Sequence, residues 1–181
     1  MLSLNTLSSQ IHADNVAAGW WTPPRPTAVT LMLIVSEISE AAEGFGPPMK
    51  KDDKLTDRWM VEVELGDAAI RILDLCGALD MDLEATIADI LNGEKRYRSP
   101  LPAHRALLEI VNEVSRAMEG DRKSNQAVVE YRLAAALQRI IELSGDLRLR
   151  LWDAVAEKRA FNRMRADHQL KNRQAAGGKR Y

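Results

Sequence analysis

The chain has 181 residues, 46% of them hydrophobic, and a formal net charge of −1. That is enough apolar side chain for one buried core or two small packed halves, and so even a balance gives no global basic field to attract nucleic acid. The one cysteine, Cys76, has no partner for an internal disulfide, as suits a reducing cytoplasm.

No charged segment followed by an apolar run opens the chain, so no signal peptide is expected. The longest apolar stretch, near Thr30, stops at Glu37 and is too short to span a bilayer. Period-2 alternation and Asn-Gly or Asp-Gly hairpins are missing, whereas helical periodicity runs throughout. An all-α bundle is therefore predicted. Its first helix covers Leu4 to Ala18 with Ser3 as N-cap, and Gly19 with the Pro23, Pro24 and Pro26 cluster ends it. A second helix is expected over Ala28 to Glu43, stopping at Gly44. The third is expected over Asp53 to Leu79 and the fourth over Leu83 to Arg96, before a joint at Ser99-Pro100. Three more follow, at Ala103 to Glu119, Lys123 to Ser144 and Leu147 to Arg165, with Asp146 placed to cap the last. Gln174 to Lys179, with its Gly-Gly pair, reads as a flexible tail. Lys and Arg are crowded between Glu157 and Tyr181, which suits a phosphate-bearing ligand or a solvated terminus equally.

An internal repeat reorganises this list. Leu31 to Gly44 matches Leu107 to Gly120 at eight of fourteen positions, an offset of 76. The next helices match at an offset of 68, where Leu65, Arg71, Ile72, Leu75, Gly77, Leu79 and Leu83 meet Leu133, Arg139, Ile140, Leu143, Gly145, Leu147 and Leu151. Shared helix end points carry positional information that periodicity alone does not. Two tandem repeats forming a pseudo-dimer are expected: residues 1–98, a second copy over 99–170, and a tail from 171 to 181.

Glu37 and Glu40 lie three apart, as do Glu64 and Asp67, so each pair makes a two-carboxylate edge on one helix face. Both pairs are set among apolar or small residues, and acids buried there need a partner. Four hard oxygen donors suit Mg²⁺, or Mn²⁺ in its place. In the second copy Glu37 is kept as Glu113, but Glu40, Glu64 and Asp67 become Arg116, Arg132 and Ala135. The acids behave as a separable unit, with the second copy as scaffold.

Ser36-Glu-Ile-Ser-Glu-Ala41 together with Val63-Glu-Leu-Gly-Asp-Ala68 resembles the E-x-x-E…E-x-x-D signature of the MazG-like all-α nucleoside triphosphate pyrophosphohydrolases. Gly19-Trp-Trp21 and Lys158 to His168 are similar to the flanking elements of that family. The chain departs from the pattern at Ser36, which stands where the family has a first Glu. It also carries the Lys-x-x-x-Asn-x-x-Arg series at the end of the second repeat rather than the first. The resemblance implies a cytoplasmic enzyme that takes a nucleoside triphosphate to the monophosphate and pyrophosphate. Its metal and catalytic residues would be Glu37, Glu40, Glu64 and Asp67. Lys158, Asn162, Arg165 and His168 would contact substrate from the second copy, giving one composite site. Lys54 and Arg58 either reach the phosphates or form a solvated helix start, and Trp20 and Trp21 either stack a base or, for one of them, plug the bundle. A homodimer is compatible with the family. A guanosine polyphosphate substrate, or a non-catalytic helical assembly module, are the alternatives.

Overall fold

The computed structural model describes residues 2–93 and 101–173, and these are helical with no strand longer than an isolated bridge between Lys51 and Trp59. The helices are α1 (Leu4–Ala17), α2 (Thr27–Glu43), α3 (Met60–Ala78), α4 (Leu83–Gly93), α5 (Ala103–Arg122), α6 (Gln126–Asp146) and α7 (Leu151–Met164). A 3₁₀ turn at Ala166–His168 and the short α8 (Leu170–Arg173) follow. The expected end of the fourth helix at Arg96, the joint at Ser99-Pro100, the boundary at residue 98 and the tail from Gln174 lie outside the described residues. Residues 171–173, expected in a flexible tail, are instead helical, with Arg173 donating to the Ala18 carbonyl at 3.2 Å. Among the described residues, no helix is long and apolar enough to cross a membrane.

The apolar stripes of these helices meet in one core, in which Ile34, Ile38, Leu65, Ile72, Ile110, Leu133, Leu137 and Ile140 are fully buried. Helix α2 packs on α3 and α5 packs on α6, with α2 against α5 and α3 against α6 between the two pairs. The following helices cross over. Helix α4 lies on α6, whereas α7 lies on α3. Gly44 lets the first pair close, because a Cβ there would sit 2.8 Å from the Val61 backbone nitrogen. Gly120, at the matching place in the α5–α6 pair, is as tight: a Cβ there would sit 2.9 Å from Val128 Cγ1. Cys76 is buried in the core, and burial pushes its thiol well above the usual range, as expected of a packing residue.

Three helix starts differ from expectation, each for a local reason. Helix α3 begins at Met60 rather than Asp53. The buried Asp52 carboxylate accepts from the Lys54 and Leu55 amides at 2.9 and 2.6 Å, which holds a turn where a helix was expected. Helix α6 begins at Gln126 rather than Lys123, because Asn125 Oδ1 accepts from Val128 N and makes the cap. Helix α7 begins at Leu151 rather than Leu147. Asp146 is the last residue of α6, Arg148 takes a left-handed φ of 56°, and the cap comes from afar: Glu62 Oε1 accepts from Arg150 N at 2.6 Å. Ser3 caps α1 as expected, accepting from Thr6 N.

Candidate functional site

Helices α2 and α3 face each other with their acidic edges inward. Carboxylate oxygens of Glu37, Glu40 and Glu64 all come within 4.8 Å of one another. Glu37 and Glu64 are buried and Glu40 is exposed at the rim. Asp67, one turn along from Glu64, is drawn instead to α7, where the buried Lys158 donates to it at 2.6 Å. Arg71, one further turn along α3, donates from Nε to Glu37 Oε1 at 2.6 Å. Four carboxylates therefore face two paired cations, Arg71 and Lys158, with Lys54 near Glu40 at the edge.

That imbalance shows in the proton affinities. Burial first, and the neighbouring Asp67 charge next, push the Glu64 carboxyl up to about 8. Burial also raises Asp67, to about 6, against the pull of Lys158. Glu40 is raised by burial and by Glu37. A divalent cation fits this donor set: three close oxygens, all hard, with too little positive charge around them.

These groups open into a cavity of about 250 Å³ whose walls include Trp20, Thr30, Lys54, Lys158, Asn162, Arg165 and His168. Two polar atoms of that wall, Thr30 Oγ1 and Asn162 Oδ1, are buried with no hydrogen-bond partner, an arrangement that costs free energy unless something else satisfies them. A second hollow of about 280 Å³ adjoins it and shares Asn15, Trp20, Ile70, Asn162 and His168.

Of the residues expected from sequence, Glu37, Glu40, Glu64, Asp67, Lys54, Lys158, Asn162, Arg165, His168 and Trp20 all line the one cavity. Their availability differs. The Arg165 guanidinium is held by Asp167 at 2.9 Å. Trp20 carries Arg173 over its ring at 3.5 Å and His168 edge-on at 5.0 Å, so the face under Arg173 is closed to a base. Two of the expected site residues are not on the cavity wall. Arg58 points away from the cavity and donates to both Glu157 oxygens at 2.7 Å, with Nη1 on Glu62 at 3.0 Å, because the turn before α3 carries it toward the start of α7. Trp21 plugs the bundle, donating from Nε1 to Asp74 at 3.0 Å beside His12, which bonds the same carboxylate.

Sequence reasoning missed Arg71, Thr30, Asn15, Arg25 and Asp74 on the cavity wall. Arg71 left a signal, since its match with Arg139 is one of the few polar identities between the α3 and α6 segments. The others left none. A comparison of the chain with protein-family models, with curated proteins and with solved structures finds no match.

Proposed function

We propose that this cavity is the active site of a Mg²⁺-dependent nucleoside triphosphate pyrophosphohydrolase, of the MazG-like kind that the acidic motifs resemble. The observation that carries the reading is the convergence of Glu37, Glu40 and Glu64 with a shortfall of positive charge, in a cavity walled by Lys54, Lys158 and Arg165. In the reaction, water adds to the α-phosphorus, the bond to the α–β bridging oxygen breaks, and monophosphate and pyrophosphate leave. A divalent ion held by the three carboxylates, with Mn²⁺ as a substitute for Mg²⁺, would supply Lewis-acid charge for the phosphate oxygens and lower the pKa of the attacking water. The chain supplies the rest. Arg71 fixes Glu37 in place, and Lys158 does the same for Asp67. Lys54 at the rim meets phosphate oxygens, and Asn162 offers a buried, unsatisfied oxygen to a donor on the substrate. A carboxyl raised to about 6, as at Asp67, is suited to accept a proton near neutral pH.

The chain on this reading is a fused pseudo-dimer and cytoplasmic, with room for further pairing as a homodimer. The crossing of α4 and α7 supports the fusion: the phosphate-side helix of the second repeat lies on the metal-side helix of the first. So does Glu113, which Arg139 holds as Arg71 holds Glu37.

The test is a panel of ribo- and deoxyribonucleoside triphosphates and a guanosine polyphosphate, with Mg²⁺, scoring pyrophosphate separately from orthophosphate. Pyrophosphate release that Glu64→Gln abolishes is the expected result. Orthophosphate alone, or turnover that Glu64→Gln leaves intact, overturns the proposal. Turnover of the guanosine polyphosphate alone would move the substrate to that class.

A further inference from the structure

A second pocket, of about 160 Å³, lies where the repeat offsets carry the first one, between α5, α6 and α4. Its wall reads position for position against the acidic cavity. Glu113 stands for Glu37 and Arg139 for Arg71, and their bond is kept, from Nη2 to Oε1 at 3.1 Å. Arg116 and Arg132 stand for Glu40 and Glu64, while Ala135 and Ile90 replace the ion pair of Asp67 with Lys158. The first set holds four carboxylates against two cations, a charge of −2. The second holds three guanidiniums against one carboxylate, a charge of +2. Asp74 and its counterpart Glu142 add one negative charge to each. At the matched positions, acids in the one concavity give way to guanidiniums in the other.

We infer that this second pocket binds a small free phosphate anion, pyrophosphate best, directly and without a metal. Glu113 lies beneath the three arginines at 2% exposure and orients them, accepting from Arg116 Nη1 at 3.3 Å, Arg132 Nη1 at 3.0 Å and Arg139 Nε at 3.2 Å. The other terminal nitrogens, Nη2 of Arg116 and of Arg132 and Nη1 of Arg139, have no partner among the described residues, and planar guanidinium forks match phosphate oxygens. The three side chains are 55%, 32% and 32% exposed, so an anion reaches them from solvent. The volume is about half that of the smallest pockets that take drug-sized ligands, which suits a phosphate or pyrophosphate. This inference stands whether or not the acidic cavity is catalytic.

The test is titration calorimetry of the full chain with inorganic phosphate, pyrophosphate and a nucleoside monophosphate. Excess chelator keeps the acidic cavity free of metal, which leaves only its wall cations, Lys54 among them, to hold an anion there. Pyrophosphate should bind most tightly, with an affinity that falls as salt is added. Arg132→Gln and Arg116→Gln should each weaken it at least tenfold, whereas Lys54→Gln, which would loosen an anion held in the acidic cavity instead, should leave it unchanged. Circular dichroism checks the fold of each variant; if Arg132→Gln does not fold, Arg116→Gln carries the test, since its side chain is the most exposed of the three. Absence of pyrophosphate binding, or binding that survives removal of the arginines, overturns the inference. Monophosphate binding as tight as pyrophosphate overturns the choice of a free anion.

Discussion

Replacing Glu64 by Gln should change how stability depends on pH before any substrate is involved. A carboxyl raised to about 8 in the folded chain, against an ordinary 4.5, holds its proton more tightly folded than unfolded. Its contribution to stability is therefore greatest below pH 4.5 and is lost as pH rises toward 8. Asp67, raised to about 6, has completed its part of the loss by that pH. Between pH 6 and 8 the slope belongs mainly to Glu64, at about 1.4 kcal/mol per pH unit, or roughly 2–3 kcal/mol across the window. For a chain of this size that is a fall in Tm of about 5–10 °C. Thermal melts in chelator at half-unit pH steps should show the fall in the parent and little of it in Glu64→Gln. Mg²⁺ at millimolar concentration should restore the parent at pH 8 by binding the folded state, and leave the variant largely unmoved. Parallel pH profiles for the two proteins would refute the charge-shortfall argument, and with it the case for a cation.

Other perturbations separate the site from its scaffold. Asn162→Ala and Arg165→Ala should lower kcat/KM for triphosphate by about tenfold or more, at unchanged divalent-ion affinity, because neither belongs to the oxygen cluster. Glu113→Gln should leave activity per folded molecule near that of the parent in an initial-rate assay. Its melt should fall by several degrees, since three arginines lose their shared buried partner. Arg58→Ala should cost about 2 kcal/mol in denaturant unfolding with KM unaltered, because it removes charged hydrogen bonds to Glu157 and Glu62 outside the cavity.

The seven longer helices of the described residues and the acidic edges were legible because both rest on local spacing. Three- and four-residue periodicity placed α2, α3, α5 and α6 to within a few residues at most ends, and put Glu37 with Glu40 and Glu64 with Asp67. What failed was decided by side chains from elsewhere in the chain. Asp52 turns the segment before α3 through its carboxylate, and Glu62 caps a helix 88 residues away. No window of sequence around Leu147 contains that acid. The roles of Arg58 and Trp21 stayed open in the sequence for the same reason, since proximity to the acidic helix said nothing about Glu157 or Asp74. Nor did spacing show that Lys158 would take Asp67 as its partner; only packing of α7 on α3 does that.

The crossing of α7 onto α3 also governs when the cavity comes into being during synthesis. Arg58 and Glu157 are 99 residues apart, and the bonds from Arg159 to Asp14 and from Arg173 to Ala18 span 145 and 155. A chain emerging from the ribosome can pair α2 with α3 early, but it then exposes four carboxylates with Lys158 still to be made. Contacts of such separation are slow to form, and they arrive together. Ligand-binding competence should therefore appear as one late step, as α7 docks, in stalled nascent chains of increasing length.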